Sequence, residues 1–527
     1  MRERGAALFS VYDRSGSIEL ARALVETGVP IYATGGTRAH LVEGGIDARD
    51  VGELTGLPPL FDGRVKTLHP NVFGAILADR RNPAHVNEAE RYHIPRVDYV
   101  VVNLYPFERT VAAPNASLEQ ALEQIDVGGV ALLRAAAKNF ENVTVLSDPA
   151  QYAEVVTALP GGVDAGARKR LATRAFERTA EYDAAIARYL EAGLVANELP
   201  GSLALTLPLS QPLRYGENPH SRAAFYLDRT RAGVLPQQLS GKALSYNNLL
   251  DLDACLHLLA RAPAPFPIPL DPGEPGYRAA IVKHTVPCGV AERPSVAEAI
   301  AATLEADPTS AYGGIIATDG PLDPAGAEAL GDFFLEIVAA PAFADDALSR
   351  LKKRKNLRIM RYAPALPGEL ARELQVRSAL GGVLAEADDP NAPAERWEVV
   401  GARQPGTAEW QDLAFAWDVV RHVKSNGVVV ARERSAHGIC AGQTNRVSAV
   451  EIACRRAGAH ARGAACASDG FFPFPDGLLA AADAVRRSTN SPAGCAQRWN
   501  SRPARVAWPG RRYRSGRPWP RGPRRGR

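Results

Sequence analysis

The chain has 527 residues, 46% hydrophobic and 23% charged, a composition that excludes a disordered or collagen-like polypeptide and leaves room for two to four folded domains. Its formal charge of +4 belongs to the end alone: 13 arginines and no acid lie from Arg486 to Arg527, and the other 49 basic residues face 58 acids. The opening MRERGAALFSVYDRSG is too short in apolar residues for a signal peptide, no apolar run nears the ~18 residues of a bilayer span, and six cysteines without a CxxC pair read as reduced thiols, so a cytoplasmic protein is expected.

In chain order, strands are predicted over 6–11, 29–34, 97–104 and 143–147, with amphipathic stretches such as 18–27 between them. That alternation predicts a parallel sheet flanked by helices, and one long helix over 165–190 closes a first domain at 1–197. The proline-broken ANELPGSLALTLPLSQP reads as a linker, taken to 198–212. A second α/β region follows at 213–370 and a third at 371–480, whose clearest strand is 428–431. No short tandem repeat and no coiled-coil heptad is seen. The end, 481–527, has no apolar period and is expected to be disordered and to build no core element. Its arginines with interleaved Trp and Tyr suit an RNA-binding arm, or a GC-rich coding sequence read out of frame.

Two strand-to-helix turns carry small hydroxyl residues and glycines. SVYDRSG (10–16) offers Ser10, Arg14 and Ser15; ATGGTRA (33–39) offers Thr34, Gly35, Gly36 and Thr37. Free N–H groups and the helix dipole favour an anion there, so the seven are expected to hold one phosphate. Neither stretch is a P-loop or a GxGxxG fingerprint, so a triphosphate or dinucleotide is not indicated. GRVKTLHP (63–70) crowds Arg64, Lys66 and Thr67 into a short loop; NLYPF ends a strand with Asn103 and Tyr105; IDVGGVALLRAAAK sets Asp126 before a Gly128-Gly129 helix start and Lys138 near that helix's end. Later, AAIVKHTVPCGVA (279–291) puts Lys283 and His284 where a strand leaves the core, with Pro287 and Gly289 read as the turn.

RVKTLHP, NLYPF and IDVGGVALLRAAAKN resemble the cyclohydrolase half of the purine-biosynthesis bienzyme family, in which aminoimidazolecarboxamide ribonucleotide formyltransferase is joined to inosine monophosphate cyclohydrolase. LRYGENPHS, LSYNNLLDLDA, VKHTVPCG, DPTSAYGGIIA, VKSNGVV and ASDGFFPFPDG resemble its formyltransferase half, in the same order, so the likeness spans about residues 5–477. It implies an α/β fold: a methylglyoxal-synthase-like parallel-sheet domain, then two cytidine-deaminase-like subdomains. A deaminase activity is excluded, since the HxE…PCxxC zinc signature is missing.

The resemblance implies the last two steps of IMP synthesis. A formyl group passes from 10-formyltetrahydrofolate, as co-substrate, to the aminoimidazole nucleotide, and dehydrative ring closure follows with no metal required. It assigns His284 as proton acceptor, Lys283 as its electrostatic partner and Asn426 as the amide that orients the carbonyl. Arg214, Tyr215 and His220 become substrate contacts, and Asp469 and Phe472 folate contacts. Lys66, Tyr105, Asp126 and Lys138 become the ring-closing groups, with Arg64, Thr67, Asn103, Gly128 and Gly129 binding beside them. It also implies a homodimer, with no nucleic-acid or membrane partner. The chain departs from the family at Arg14, where lysine is usual, at Val286, where asparagine is usual, and at Cys440, where glycine is usual. The family's QPGGS turn and TGxRHF strand are missing after residue 477, which favours the frame-disruption reading of the end. The alternative function is therefore cyclohydrolase alone, with formyl transfer impaired.

Overall fold

The run AALFSV folds as the central strand of a five-stranded parallel sheet. Its strands are β1 (Ala6–Val11), β2 (Ile31–Ala33), β3 (Ala48–Asp50), β4 (Val97–Asn103) and β5 (Thr144–Leu146), in the order β3-β2-β1-β4-β5. Alternation along β1 sends Ala7, Phe9 and Val11 into one core with Leu20, Leu24 and Leu41. Leu8 goes to the other with Val100, Val102 and Leu132. The helix Ala165–Glu191 serves both, through Leu171 on one side and Ala172, Ala175 and Tyr182 on the other. The four predicted strands all lie in this sheet; β3, three residues long, was not predicted. Strand order reverses between β1 and β4, and the crevice beyond the carboxyl ends of such strands is where α/β sheets take ligands.

The computed structural model describes residues 5–61, 63–113, 116–191, 199–228, 235–261, 276–387, 398–399, 404–472, 474–486, 494–499 and 502–507, by backbone alone at 398, 486 and from 494 onward. The chain divides into two units, residues 1–208 with 226–232 and residues 209–225 with 233–527. Among the described residues no helix is long and apolar enough to cross a membrane.

In the second unit, twelve described strands form one sheet. Their order is Glu398–Val399, Arg502–Ala507, Gly494–Trp499, Ala465–Ser468, Val428–Arg432, Ser435–Cys440, Val286–Arg293, Tyr277–Lys283, Ile315–Thr318, Ile337–Ala340, Arg358–Arg361 and Gln237–Ser240. Read outward from the pair Ala291 and Ser435, the sheet is a duplication. The first repeat runs through helix Tyr246–Leu259, a hairpin ending at Arg293, helix Val296–Ala306 and strand Ile315–Thr318. The second runs through helix Thr407–Val420, a hairpin ending at Cys440, helix Arg446–Ala457 and strand Ala465–Ser468.

Sequence traces of the duplication are sparse but sharp. ATDG at 317–320 matches ASDG at 467–470. Asp319 Oδ1 accepts the Arg278 N–H at 2.7 Å, as Asp469 Oδ1 accepts that of Gly427 at 2.7 Å. Gly289 and Gly438 occupy equal places, where a Cβ would run into the carbonyl oxygens of Thr303 and Ala453 on the helix beneath. A single core under both repeats joins Val282 and Val290 to Val429 and Ala436, and Arg278 ties them electrostatically. Arg278 reaches Asp418 of the second repeat at 2.7 Å and Glu292 of the first at 2.6 Å, and lies over the Phe415 ring.

Two expectations are corrected here. The end of the chain was expected to build no core element, yet Gly494–Trp499 pairs in parallel with Ala465–Ser468, and Arg502–Ala507 pairs back on it. Helix Pro475–Arg486 precedes them, burying Ala481, Ala482 and Val485. Addition of a strand to a sheet needs only backbone N–H and C=O partners, so a missing apolar period does not forbid it. The other correction concerns the turn after residue 282. Lys283 pairs with Val286, so the tip is His284-Thr285, and Pro287 and Gly289 belong to the returning strand, where the register shifts.

Arg278→Met takes the guanidinium from two buried carboxylates and is expected to cost about 3–5 kcal/mol. Calorimetry would show it as a lower Tm for the second unit.

Candidate functional site

Beyond the carboxyl ends of β1 and β4, the Asn103 side chain ties the two strands' loops together. Its Oδ1 accepts the N–H groups of Tyr12 and Asp13 at 2.7 and 2.8 Å, and its Nδ2 donates to the Asp13 carbonyl at 2.7 Å. Asn103, predicted as a substrate contact, thus shapes the loop. Ser15 Oγ donates to Asp13 at 2.6 Å, and that hydrogen bond holds the Asp13 carboxyl below the usual range. Across the crevice, helix Gly35–Glu43 starts after Thr34, whose hydroxyl donates to Ser10 Oγ at 3.2 Å. A side chain at Gly36 would meet the Arg14 guanidinium at 3.2 Å, so Arg14 spans the gap between the two predicted cradles. The Thr37 hydroxyl is committed to the backbone of Val11, leaving its N–H in the first helical turn as the group an anion would meet.

Next to this cradle a second group converges. Tyr12 and Tyr105 meet edge to face, centroids 5.9 Å apart. Asp126 Oδ1 accepts the Gly129 N–H at 2.6 Å, and the Asp126 N–H donates to the Tyr182 hydroxyl at 2.9 Å. Burial raises the Asp126 carboxyl, only partly offset by the Gly129 and Tyr105 N–H groups and the charge of Lys66. Burial and the Asp126 charge likewise raise Tyr105. Lys66 folds over Gly63, and Thr67 Oγ1 lies 3.0 Å from where a Gly128 side chain would start. Lys66, Thr67, Tyr105, Asp126, Gly128 and Gly129 are therefore brought together. Arg64 pairs with the exposed Glu123. Lys138 is not brought in: helix Gly128–Lys138 is unbroken, which puts Lys138 ~15 Å from its start.

In the second unit, Lys283 ends its strand and donates from Nζ to the Tyr312 carbonyl at 2.8 Å. His284 and Thr285 follow with left-handed φ of 53° and 59°, and the His284 ring is exposed. Burial pushes the neighbouring Cys288 thiol up to about 11. Asn426 Nδ2 donates to the Gln443 carbonyl at 2.7 Å, and the Gln443 carbonyl also takes the Asn426 N–H. The adjoining Gly427 N–H is the one capped by Asp469, which is also paired with Arg446. Asp469, predicted as a folate contact, is thus engaged beneath the Asn426 loop, and Phe472 packs against the core of Val428, Val430 and Val450. Arg214 lies over the Tyr215 ring at 5.3 Å, and His220 is exposed in the turn closed by Gly216 and Ser221. Sequence reasoning missed Tyr12, Tyr182, Gln443 and Arg446, whose partners Tyr105, Asp126, Asn426 and Asp469 lie far along the chain and leave no local pattern.

The profile of the family described as AICARFT/IMPCHase bienzyme matches residues 136–456, and that of the MGS-like domain matches 16–131. The chain belongs to the bienzyme family. It is 47% identical over 494 residues to the bifunctional purine biosynthesis protein PurH of Chloroflexus aurantiacus, covering 93% of both chains. It is 45% identical to that of Desulfitobacterium hafniense, over 93% of this chain and 94% of the relative, and 44% identical to that of Acidithiobacillus ferrooxidans, over 94% of each.

Removing the Arg14 guanidinium, which spans the two cradles, should be felt by a phosphate. Arg14→Ala is expected to weaken a nucleoside 5′-monophosphate by ~10–100-fold, the worth of a charge-assisted hydrogen bond, in isothermal titration.

Proposed function

We propose that this chain catalyses the last two steps of IMP synthesis, formyl transfer to the aminoimidazole carboxamide nucleotide and closure of the second ring. The observation that carries this is the convergence of Lys66, Tyr105 and Asp126 beside the turns at Ser10–Ser15 and Thr34–Thr37, in a bienzyme-family chain matched by bifunctional purine biosynthesis proteins over 93% of its length. The first unit is assigned ring closure and the second formyl transfer. The co-substrate is 10-formyltetrahydrofolate, the protein works as a homodimer, and its place is the cytoplasm.

Formyl transfer demands attack by an amine whose lone pair is delocalised into the imidazole and its carboxamide. The amine nitrogen bonds to the formyl carbon and the carbon–N10 bond of the folate breaks. His284 accepts the amine proton and returns it to N10, which leaves on tetrahydrofolate. The Lys283 ammonium stabilises the oxyanion between these events, and Asn426, steadied by Gln443, orients the carbonyl. Arg214, Tyr215 and His220 hold the nucleotide, while Asp469 and Phe472 shape the wall on which the folate lies.

Ring closure begins from an already intramolecular pair, so orientation supplies much of the rate. The carboxamide nitrogen adds to the formyl carbon. The formyl oxygen then leaves as water, carrying one proton from that nitrogen and one from the formamido nitrogen. Asp126, with Tyr105, moves the protons, and Lys66 neutralises the oxygen as charge develops. Ser10, Arg14, Ser15, Thr34 and the Gly35–Thr37 turn take the phosphate, and Arg64, Thr67 and Gly128–Gly129 line the base.

Assaying the two steps separately on the purified chain tests this reading. Turnover is expected both of the aminoimidazole nucleotide with formyl-folate and of the formylated nucleotide alone; failure of either removes that half of the assignment.

Asp126 gives a sharper test. Its folded carboxyl titrates above the usual aspartate range, so ring closure should lose its base as pH falls through that raised value, and Asp126→Asn should lower kcat by ~10²–10⁴ and abolish the acid limb. The stability sign is opposite. A raised carboxyl favours the fold below the unfolded pKa and loses that contribution as pH rises. The Tm of Asp126→Asn should therefore gain on the wild type as pH rises from the unfolded aspartate pKa through the raised folded one.

A further inference from the structure

Two hairpin tips in the second unit lack the residues such tips normally use. A two-residue turn with left-handed φ at both central positions favours Asn-Gly or Asp-Gly. Here they are His284-Thr285, at 53° and 59°, and Glu433-Arg434, at 53° and 52°. Threonine is the hardest to place there, because its branched Cβ crowds the backbone.

Each tip lies on a buried aspartate, sixth residue of the helix that opens its repeat. Asp251 Oδ2 accepts the His284 N–H at 3.1 Å and its Oδ1 the Thr285 N–H at 2.6 Å. Asp412 Oδ1 accepts the Arg434 N–H at 2.7 Å, and the Glu433 N–H bonds the same carboxylate. Two oxygens side by side match two successive N–H groups of a left-handed pair, which no neighbouring strand satisfies. The clasps are equal; their loads are not. One tip carries Lys283 and His284, the other Arg432 and Glu433.

We propose that Asp251 is a positioning residue for formyl transfer: by gripping the N–H groups of His284 and Thr285 it fixes where the His284 imidazole leaves the sheet beside Lys283, without touching substrate. This rests on the formyl-transfer reading given above. The His284 ring is exposed, so its direction is set by its backbone, and the backbone is set by one carboxylate from another element. The Thr285 hydroxyl adds a local bond to the His284 carbonyl at 2.7 Å. Asp412, doing the same work at a tip that carries neither residue, is the built-in control.

The test compares Asp251→Asn, Asp251→Glu and Asp412→Asn in the full chain, with ring closure by the first unit as the standard of folded enzyme. For Asp251→Asn the formyl-transfer kcat should fall ~10–100-fold, as expected of a displaced reacting group, with KM for the nucleotide within about threefold and ring closure unchanged. Asp251→Glu, which keeps the charge but pushes the tip outward by one methylene, should lose kcat likewise, and it decides the matter if the amide variant does not accumulate. Asp412→Asn should lower Tm comparably while keeping the formyl-transfer kcat within about twofold. A full kcat in the Asp251 variants, or an equal loss in Asp412→Asn, overturns the proposal. A wild-type chain that closes the ring but transfers no formyl group overturns the functional reading and this proposal with it, a result distinct from transfer that is indifferent to Asp251.

Discussion

Side-chain oxygens that accept backbone N–H groups where strands end are the contact on which both units depend. A sheet satisfies its own interior, but the residues just past a strand have donors with no ladder to join, and a buried donor left alone costs ~1–3 kcal/mol. Asn103 answers for Tyr12 and Asp13 just past β1, Asp251 for His284 and Thr285 between two strands, and Asp469 for Gly427 just before one; Asp126 does the same for Gly129 at a helix start. Several groups assigned to chemistry are themselves such acceptors or lie within a residue or two of one. The loops are shaped by long-range side-chain bonds, and that gives flexible connections the rigidity of a scaffold.

Buried carboxylates in this chain divide by what surrounds them. At Asp418 burial pushes upward, but Arg278 and then Arg421 overrule it and the group is held below the usual aspartate range. At Asp126 burial wins, because two N–H groups and a single lysine do not make up for lost water. The first pattern is that of a structural ion pair tying two repeats. The second is that of a group whose proton is available for use. Burial likewise drives the His422 imidazole down to about 3, neutral and structural.

Much of this was legible in the sequence. β1 was placed to the residue, the helix at 165–191 to within one, and the cradles fall at the strand-to-helix turns where they were expected. Those features are local: a period of two, a period of 3.6, glycines at a turn. The hairpin tip was misread because His284-Thr285 carries no turn signal, while Pro287 and Gly289, which do, sit in a strand. Asp251 was quoted within LSYNNLLDLDA and given no role, since its work is on backbone atoms 33 and 34 residues away. The duplication was expected from the family resemblance and left little text of its own: four residues, ATDG against ASDG, and two glycines with the same helix beneath them. The strands at 494–507 were missed for a related reason, as their partners are other strands' backbones.

The central pairing of Val286–Arg293 with Ser435–Cys440 carries a consequence for each repeat alone. Severed from each other, the two repeats would each bare an open margin of N–H and C=O groups along a greasy face, the template for indiscriminate self-association. Neither copy is suited to solitary existence. Joined in one chain, the two copies lie against each other while bearing different tips, His284-Thr285 on one and Glu433-Arg434 on the other.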